Sequence, residues 1–123
     1  MRQLSVEMPE SVVDIVTRRA AINGRWRSAE FRYLVELGLT YAEDGDPRID
    51  VPPRGAERWV NVSMSLTPSI EEALVLRSQV YHRPLGREFL RMTIHALEET
   101  ARRDLEVIEA MMSRQGSEQP SAR

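Results

Sequence analysis

Two short stretches of this chain alternate strictly between apolar and polar side chains. In Gln3–Pro9, Leu4, Val6 and Met8 fall on one side and Gln3, Ser5 and Glu7 on the other. Ahead of Pro68, Val60, Val62, Met64 and Leu66 alternate with Asn61, Ser63 and Ser65. A period of two predicts a strand with one buried and one solvated face. Helical spacing follows each strand directly. Pro9, Glu10 and Ser11 suit a helix entry. Val12, Ile15, Val16 and Ala20 then predict a first helix to about Ile22, with these four inward. Asn23-Gly24 stops it, because glycine adopts the left-handed conformation that closes a helix. Phe31, Leu34, Val35 and Leu39 predict a second helix from about Arg27 to Ala42, with Arg32 and Glu36 as an i,i+4 pair on its outer face. A lone strand is unstable. The two strands are therefore expected to pair with each other. The expected fold class is mainly α, with one short antiparallel two-stranded β-ribbon.

From Glu43 to Arg58 there is no apolar period, and Gly45, Pro47, Pro52, Pro53 and Gly55 mark a linker. Extended, its 16 or so residues reach roughly 50 Å, ample to return to a neighbouring strand. Trp59 is expected to pack at the ribbon edge. The chain then repeats itself. Ser5 aligns with Ser63, Ser11 with Ser69, Arg19 with Arg77, Arg25 with Arg83, Glu30 with Glu88, Phe31 with Phe89 and Leu39 with Leu97. Apolar character agrees at Val12 and Ile70, Val16 and Leu74, Leu34 and Met92. The organisation expected is a first unit at 1–42, a linker at 43–58 and a second unit at 59–102. The last stripe continues through Ala101, Leu105, Ile108 and Met112 as a helical extension, 103–114, followed by a disordered tail, 115–123. The extension is expected either to pack on its own domain or to meet a partner.

Composition narrows the function. The chain has 123 residues and no cysteine, so it is one compact domain or two small intertwined ones, without disulfides or cysteine-ligated metal. His82 and His95 are the only histidines, and neither adjoins an acidic cluster at ligand spacing. There is no glycine-rich phosphate loop and no nucleophile motif. No catalytic residue, metal or cofactor is expected, and the chain is not read as an enzyme. No apolar run is long enough to span a membrane, and no signal-peptide pattern opens the chain, so a cytoplasmic protein is expected. A net charge of −2 argues mildly against a nucleic-acid partner. All 17 basic residues are arginines, however, and Arg18, Arg19, Arg25, Arg27 and Arg32 cluster ahead of the linker. The acids concentrate in the linker (Glu43, Asp44, Asp46, Asp50) and the last helix (Glu98, Glu99, Asp104, Glu106, Glu109). This distribution leaves room for a basic face.

The tracts Gln3-Leu4-Ser5-Val6-Glu7-Met8-Pro9, then Val12 and Asp14, then Asn23-Gly24-Arg25 and Ser28-Ala29-Glu30-Phe31 occur in the order of a known plan. The first unit resembles the ribbon-helix-helix family of Arc/MetJ type. The second keeps Arg83 and Glu88-Phe89, with His82 at the turn glycine and Pro84 where the next helix begins. The resemblance covers nearly all of residues 2–100. Two units in one chain look like the TraY-type conjugation proteins, DNA-binding accessories of nick-site complexes. It implies tandem ribbon-helix-helix units forming a pseudo-twofold domain, with the paired strands in the major groove of double-stranded DNA. The base-contacting positions would be Gln3, Ser5, Glu7, Asn61, Ser63 and Ser65. Glu7 departs from the family, which often has a base there. Phosphate contacts would come from the start of each second helix, at Arg27 and Ser28 and at Gly86 and Arg87. Trp26 stands where the family usually has a capping serine or threonine. Arg25 with Glu30 and Arg83 with Glu88 match the family's structural ion pairs. The third, arginine member of its buried triad is replaced by Leu34 and by Met92. The implied role is a relaxosome accessory of plasmid conjugation. The alternatives are a transcriptional repressor, or an antitoxin-like adaptor whose C-terminal helix binds a partner (a relaxase or a second copy).

Overall fold

The computed structural model describes residues 2–118. Along the chain run β1 (Arg2–Pro9), α1 (Glu10–Asn23), α2 (Arg27–Tyr41), β2 (Trp59–Leu66), α3 (Pro68–Val80) and α4 (Leu85–Glu118). The strands pair antiparallel as a two-stranded sheet, with Ser5 opposite Ser63 and Pro9 opposite Trp59. The alternation seen in the sequence decides which face is which. Val6, Met8, Val62, Met64 and Leu66 turn inward and are buried. Phe31 and Leu34 of α2 and Phe89 and Met92 of α4 meet them from the other side. The Phe31 and Phe89 rings lie 6.1 Å apart at 45°. Burying aromatic and aliphatic side chains from a sheet face and two helices in one cluster is what lets so short a ribbon persist.

The buried stripe of α1 is not the one expected. Val12, Val13, Val16 and Ala20 are buried, whereas Ile15 is 44 % exposed. The four buried residues span roughly 100° of the helix, and Ile15 falls about 60° outside that arc. In α2, Phe31, Leu34 and Val35 are buried as expected, and Leu39 packs half-buried at the margin. Gly38 is buried too. A Cβ built on it would lie 2.1 Å from the Met92 carbonyl oxygen, so α2 and α4 touch backbone to backbone there.

Helix ends follow their local chemistry. Gly24 closes α1 at φ 65°, and the Arg25 N–H donates to the Ala20 carbonyl at 2.9 Å. At the matching turn after α3, His82 takes the same left-handed conformation at φ 53°. The Arg83 N–H there donates to the Ser78 carbonyl at 3.0 Å. Pro9 offers α1 no side-chain cap. The loop 43–58 supplies one instead: the Glu10 N–H donates to the Arg58 carbonyl at 2.9 Å, and the Ser11 N–H to Glu57 Oε1 at 2.8 Å. That loop is packed rather than loose, since Ile49 is buried and Val51 packs against the core.

The end of the chain also differs from expectation. α4 continues to Glu118, so residues 115–118 of the expected disordered tail are helical. Residues 119–123 lie outside the described part of the chain. From Ala101 to Gln115 every residue of α4 is exposed, so the extension does not pack on its own domain. Among the described residues, no helix is long and apolar enough to cross a membrane.

Candidate nucleic-acid interface

The outward face of the β1–β2 ribbon carries all six side chains singled out from the alternation. Gln3, Ser5, Glu7, Asn61 and Ser63 are exposed, and Ser65 is half-buried. All but Glu7 bond to one another across the strands. Gln3 Nε2 donates to Ser65 Oγ at 3.2 Å, Ser5 Oγ donates to Asn61 Oδ1 at 3.2 Å, and the Ser5 and Ser63 hydroxyls lie 3.3 Å apart. The face therefore holds amide and hydroxyl groups in a fixed row, each with donor or acceptor capacity to spare.

Glu7 is not a bare acid on this face. Arg54, from the loop, pairs with its carboxylate. The Arg54 guanidinium also lies 4.4 Å from the centroid of the Trp59 ring. Trp59 thus sits at the ribbon edge as expected, with its indole N–H buried and without an acceptor among the described residues. Arg54 is the site residue that sequence reasoning missed. Its only signal was one arginine in an aperiodic stretch ahead of a tryptophan.

The helix starts lie alongside. A Cβ on Gly86 would stand 3.6 Å from Val6 Cγ1, so the first turn of α4 rests on β1. Ser5, Glu7, Arg54, Trp59, Gly86 and Arg87 line one cleft of about 360 Å³ between them. The fold thus brings base-contact and phosphate-contact candidates of the two units into one place. At the other end, Arg32 Nη1 donates to the Ser65 carbonyl at 3.5 Å, tying α2 to the end of β2. That contact takes the place of the expected pairing of Arg32 with Glu36. Arg27 is exposed and Ser28 half-buried on the first turn of α2. The N-cap of that helix is Trp26, which makes no side-chain cap and is 85 % exposed. The first N–H groups of both helices have no intrahelical acceptor, and their dipoles favour an anion.

Behind this face lie two buried carboxylates. Glu30 is 0 % exposed and accepts from Arg25 Nη1 at 2.9 Å, Asn23 Nδ2 at 3.3 Å and Arg19 Nε at 3.4 Å. Glu88 is likewise 0 % exposed and accepts from Arg77 Nε at 2.8 Å and Arg83 Nη1 at 3.1 Å. Both expected pairs form, but the third member is not lost to Leu34 and Met92. Arg19, just ahead of the last turn of α1, and Arg77, on the last turn of α3, reach across the tight turns to supply it. Their identity at matching repeat positions was the available signal. The second cluster has a further acid. Asp46, in the loop, bonds to Arg83 Nη1 at 3.0 Å and lies 3.3 Å from both Arg77 and Arg91. The Arg83 hydrogen bond, working against partial burial, holds the Asp46 carboxyl below its ordinary range. The same bond raises the pKa of Arg83.

Comparison of the chain with protein-family models, with curated proteins and with solved structures finds no match. What the site can do follows from its own groups. It offers amides, hydroxyls and guanidinium groups on a narrow projecting ribbon, and backbone N–H donors beside it. His82 is exposed in its turn, and His95 is buried with its ring edge-on to Tyr41 at 6.3 Å. Among the described residues no group of three or more histidines or acids is disposed to hold a metal.

Proposed function

We propose that this chain is a tandem ribbon-helix-helix protein that binds double-stranded DNA sequence-specifically through the β1–β2 face. The observation that carries this reading is the row of six polar side chains on one outward face of an isolated antiparallel pair. Strands about 5 Å apart, with side chains on one face, match a major groove about 12 Å wide. Gln3 and Asn61 are the residue types that pair bidentately with adenine. The serines make short contacts to either base type. Arg27, Ser28, Gly86 and Arg87 flank the ribbon as phosphate contacts that set its register.

A pseudo-twofold arrangement of the two units is part of the proposal. It is supported by the register, which sets Ser5 opposite Ser63, the same two residues that the internal repeat equates. The Phe31–Phe89 contact and the two arginine-bound glutamates obey the same relation. Since the readers differ between the units, the DNA site is asymmetric, unlike the palindrome of a homodimer. The resemblance to TraY-type proteins favours an accessory role at a conjugative transfer origin. Repression by operator occlusion is the second reading, and it uses the same face.

The test starts from selection of bound sequences out of random duplexes, followed by affinity measurement on the selected site. Gln3→Ala and Asn61→Ala are each expected to cost about 1–3 kcal/mol and to relax preference at one base position. Arg27→Ala is expected to weaken binding to all sequences and to reduce the salt slope by about 1. Unchanged affinity in all three variants would overturn the reading.

A further inference from the structure

The last part of α4 leaves the core. Along Ala101–Gln115 every residue is exposed. Leu105, Val107, Ile108, Met111 and Met112 show between 52 and 65 % of their surface. This part of α4 gains no packing of its own, and so wide an apolar arc belongs against another surface. Ala101, Leu105, Ile108 and Met112 recur at intervals of four, three and four, the a/d spacing of a two-helix seam. Val107 and Met111 widen the arc on one side, and Arg102 and Glu109 border it on the other.

We infer that this segment pairs with the same segment of a second copy of the chain, and that the two helices run antiparallel. The bordering charges decide the orientation. With Leu105 and Met112 at a, and Ala101 and Ile108 at d, Arg102 and Glu109 fall at e and Asp104 at g. Parallel copies would set Asp104 of one beside Glu109 of the other, a like-charge contact. Antiparallel copies set e against e, so Arg102 of each helix faces Glu109 of the other. The area is sufficient. Each of the five exposed side chains carries about 100 Å² of apolar surface, so the two copies together offer on the order of 1,000 Å² to the contact, around the lower bound of a specific interface. The pair would hold two ribbon faces at opposite ends of a helical bridge. This assembly is independent of the DNA reading, because no residue of the seam touches the ribbon.

Sedimentation equilibrium on the full chain tests it. The wild type is expected to dimerise in the micromolar range. Ile108→Glu is expected to raise the dissociation constant roughly 30-fold or more, with thermal unfolding of the rest unchanged, since Ile108 lies outside the core. Glu109→Arg separates the orientations. Antiparallel pairing predicts weaker association, restored by adding Arg102→Glu, whereas parallel pairing predicts stronger association through Asp104. A wild-type chain that stays monomeric at about 100 µM overturns the inference and leaves the face to a different protein. Stronger association of the Glu109→Arg variant overturns the antiparallel arrangement.

Discussion

At the scale of single residues, Glu7 and Arg54 decide how the ribbon face meets an anion. An acid projecting from a face that reads DNA repels phosphate, and Arg54 cancels that charge from the loop. With the function proposed above, Arg54→Ala uncovers the Glu7 carboxylate and is expected to weaken DNA binding about tenfold or more, whatever the sequence. Glu7→Gln frees the guanidinium and is expected to strengthen binding and steepen its salt dependence by about 1. Fluorescence anisotropy across a salt series reads both variants. Equal affinity of the two variants and the wild type would remove Arg54 from the interface. Gln3, Ser5, Asn61 and Ser63 were legible from alternation alone, because a period of two leaves no freedom over which side chains share a face. Arg54 was not legible. Its contact with Glu7 spans 47 residues and comes from a stretch without a period.

At the scale of elements, the loop 43–58 matters more than its composition indicates. It caps α1 through Glu57 and Arg58, and it clamps the ends of α3 and α4 through Asp46. The Asp46 carboxyl titrates below its unfolded value of about 3.9. A carboxylate with a depressed folded pKa adds stability that is present above the unfolded pKa and lost as pH falls through the folded one. Asp46→Asn is therefore expected to destabilise the protein by about 1–2 kcal/mol at pH 7, discounted for its partial exposure. The difference from wild type should shrink as pH falls below the unfolded value and through the depressed folded one. Thermal melts from pH 7 downward check this, and a deficit that persists in acid would mean that Asp46 acts through packing instead. Nothing local in the loop pointed to the clamp. Gly45 and Pro47 beside Asp46 read as turn residues, and three arginines, on α3, in the turn after it and on α4, had to converge before the acid had a role.

At the scale of the whole molecule, one close approach sets how α2 crosses α4. Alanine is a better helix former than glycine by about 1 kcal/mol, so propensity alone predicts that Gly38→Ala stabilises. The Met92 carbonyl leaves no room for a Cβ. The two helices must separate or bend, at a cost of about 3 kcal/mol. Urea unfolding decides between the signs, and a stabilised variant would show that the helices part without cost. The sequence reading passed over Gly38 because a glycine within a helical pattern carries no mark of what lies across from it.

The order of strands and helices, the inward face of each strand and the repeat that equates Ser5 with Ser63 were determined by the sequence alone. These properties depend on near neighbours along the chain, through the periods of two and 3.6 and the glycine that closes α1. The outward turn of Ile15, the Arg19 and Arg77 arms around Glu30 and Glu88, and the pairing of Arg54 with Glu7 were decided only by the tertiary structure. Each depends on groups distant in sequence or on which arc of a helix finds a partner. Local periodicity holds no record of either, because it orders side chains around an axis without saying what stands opposite them.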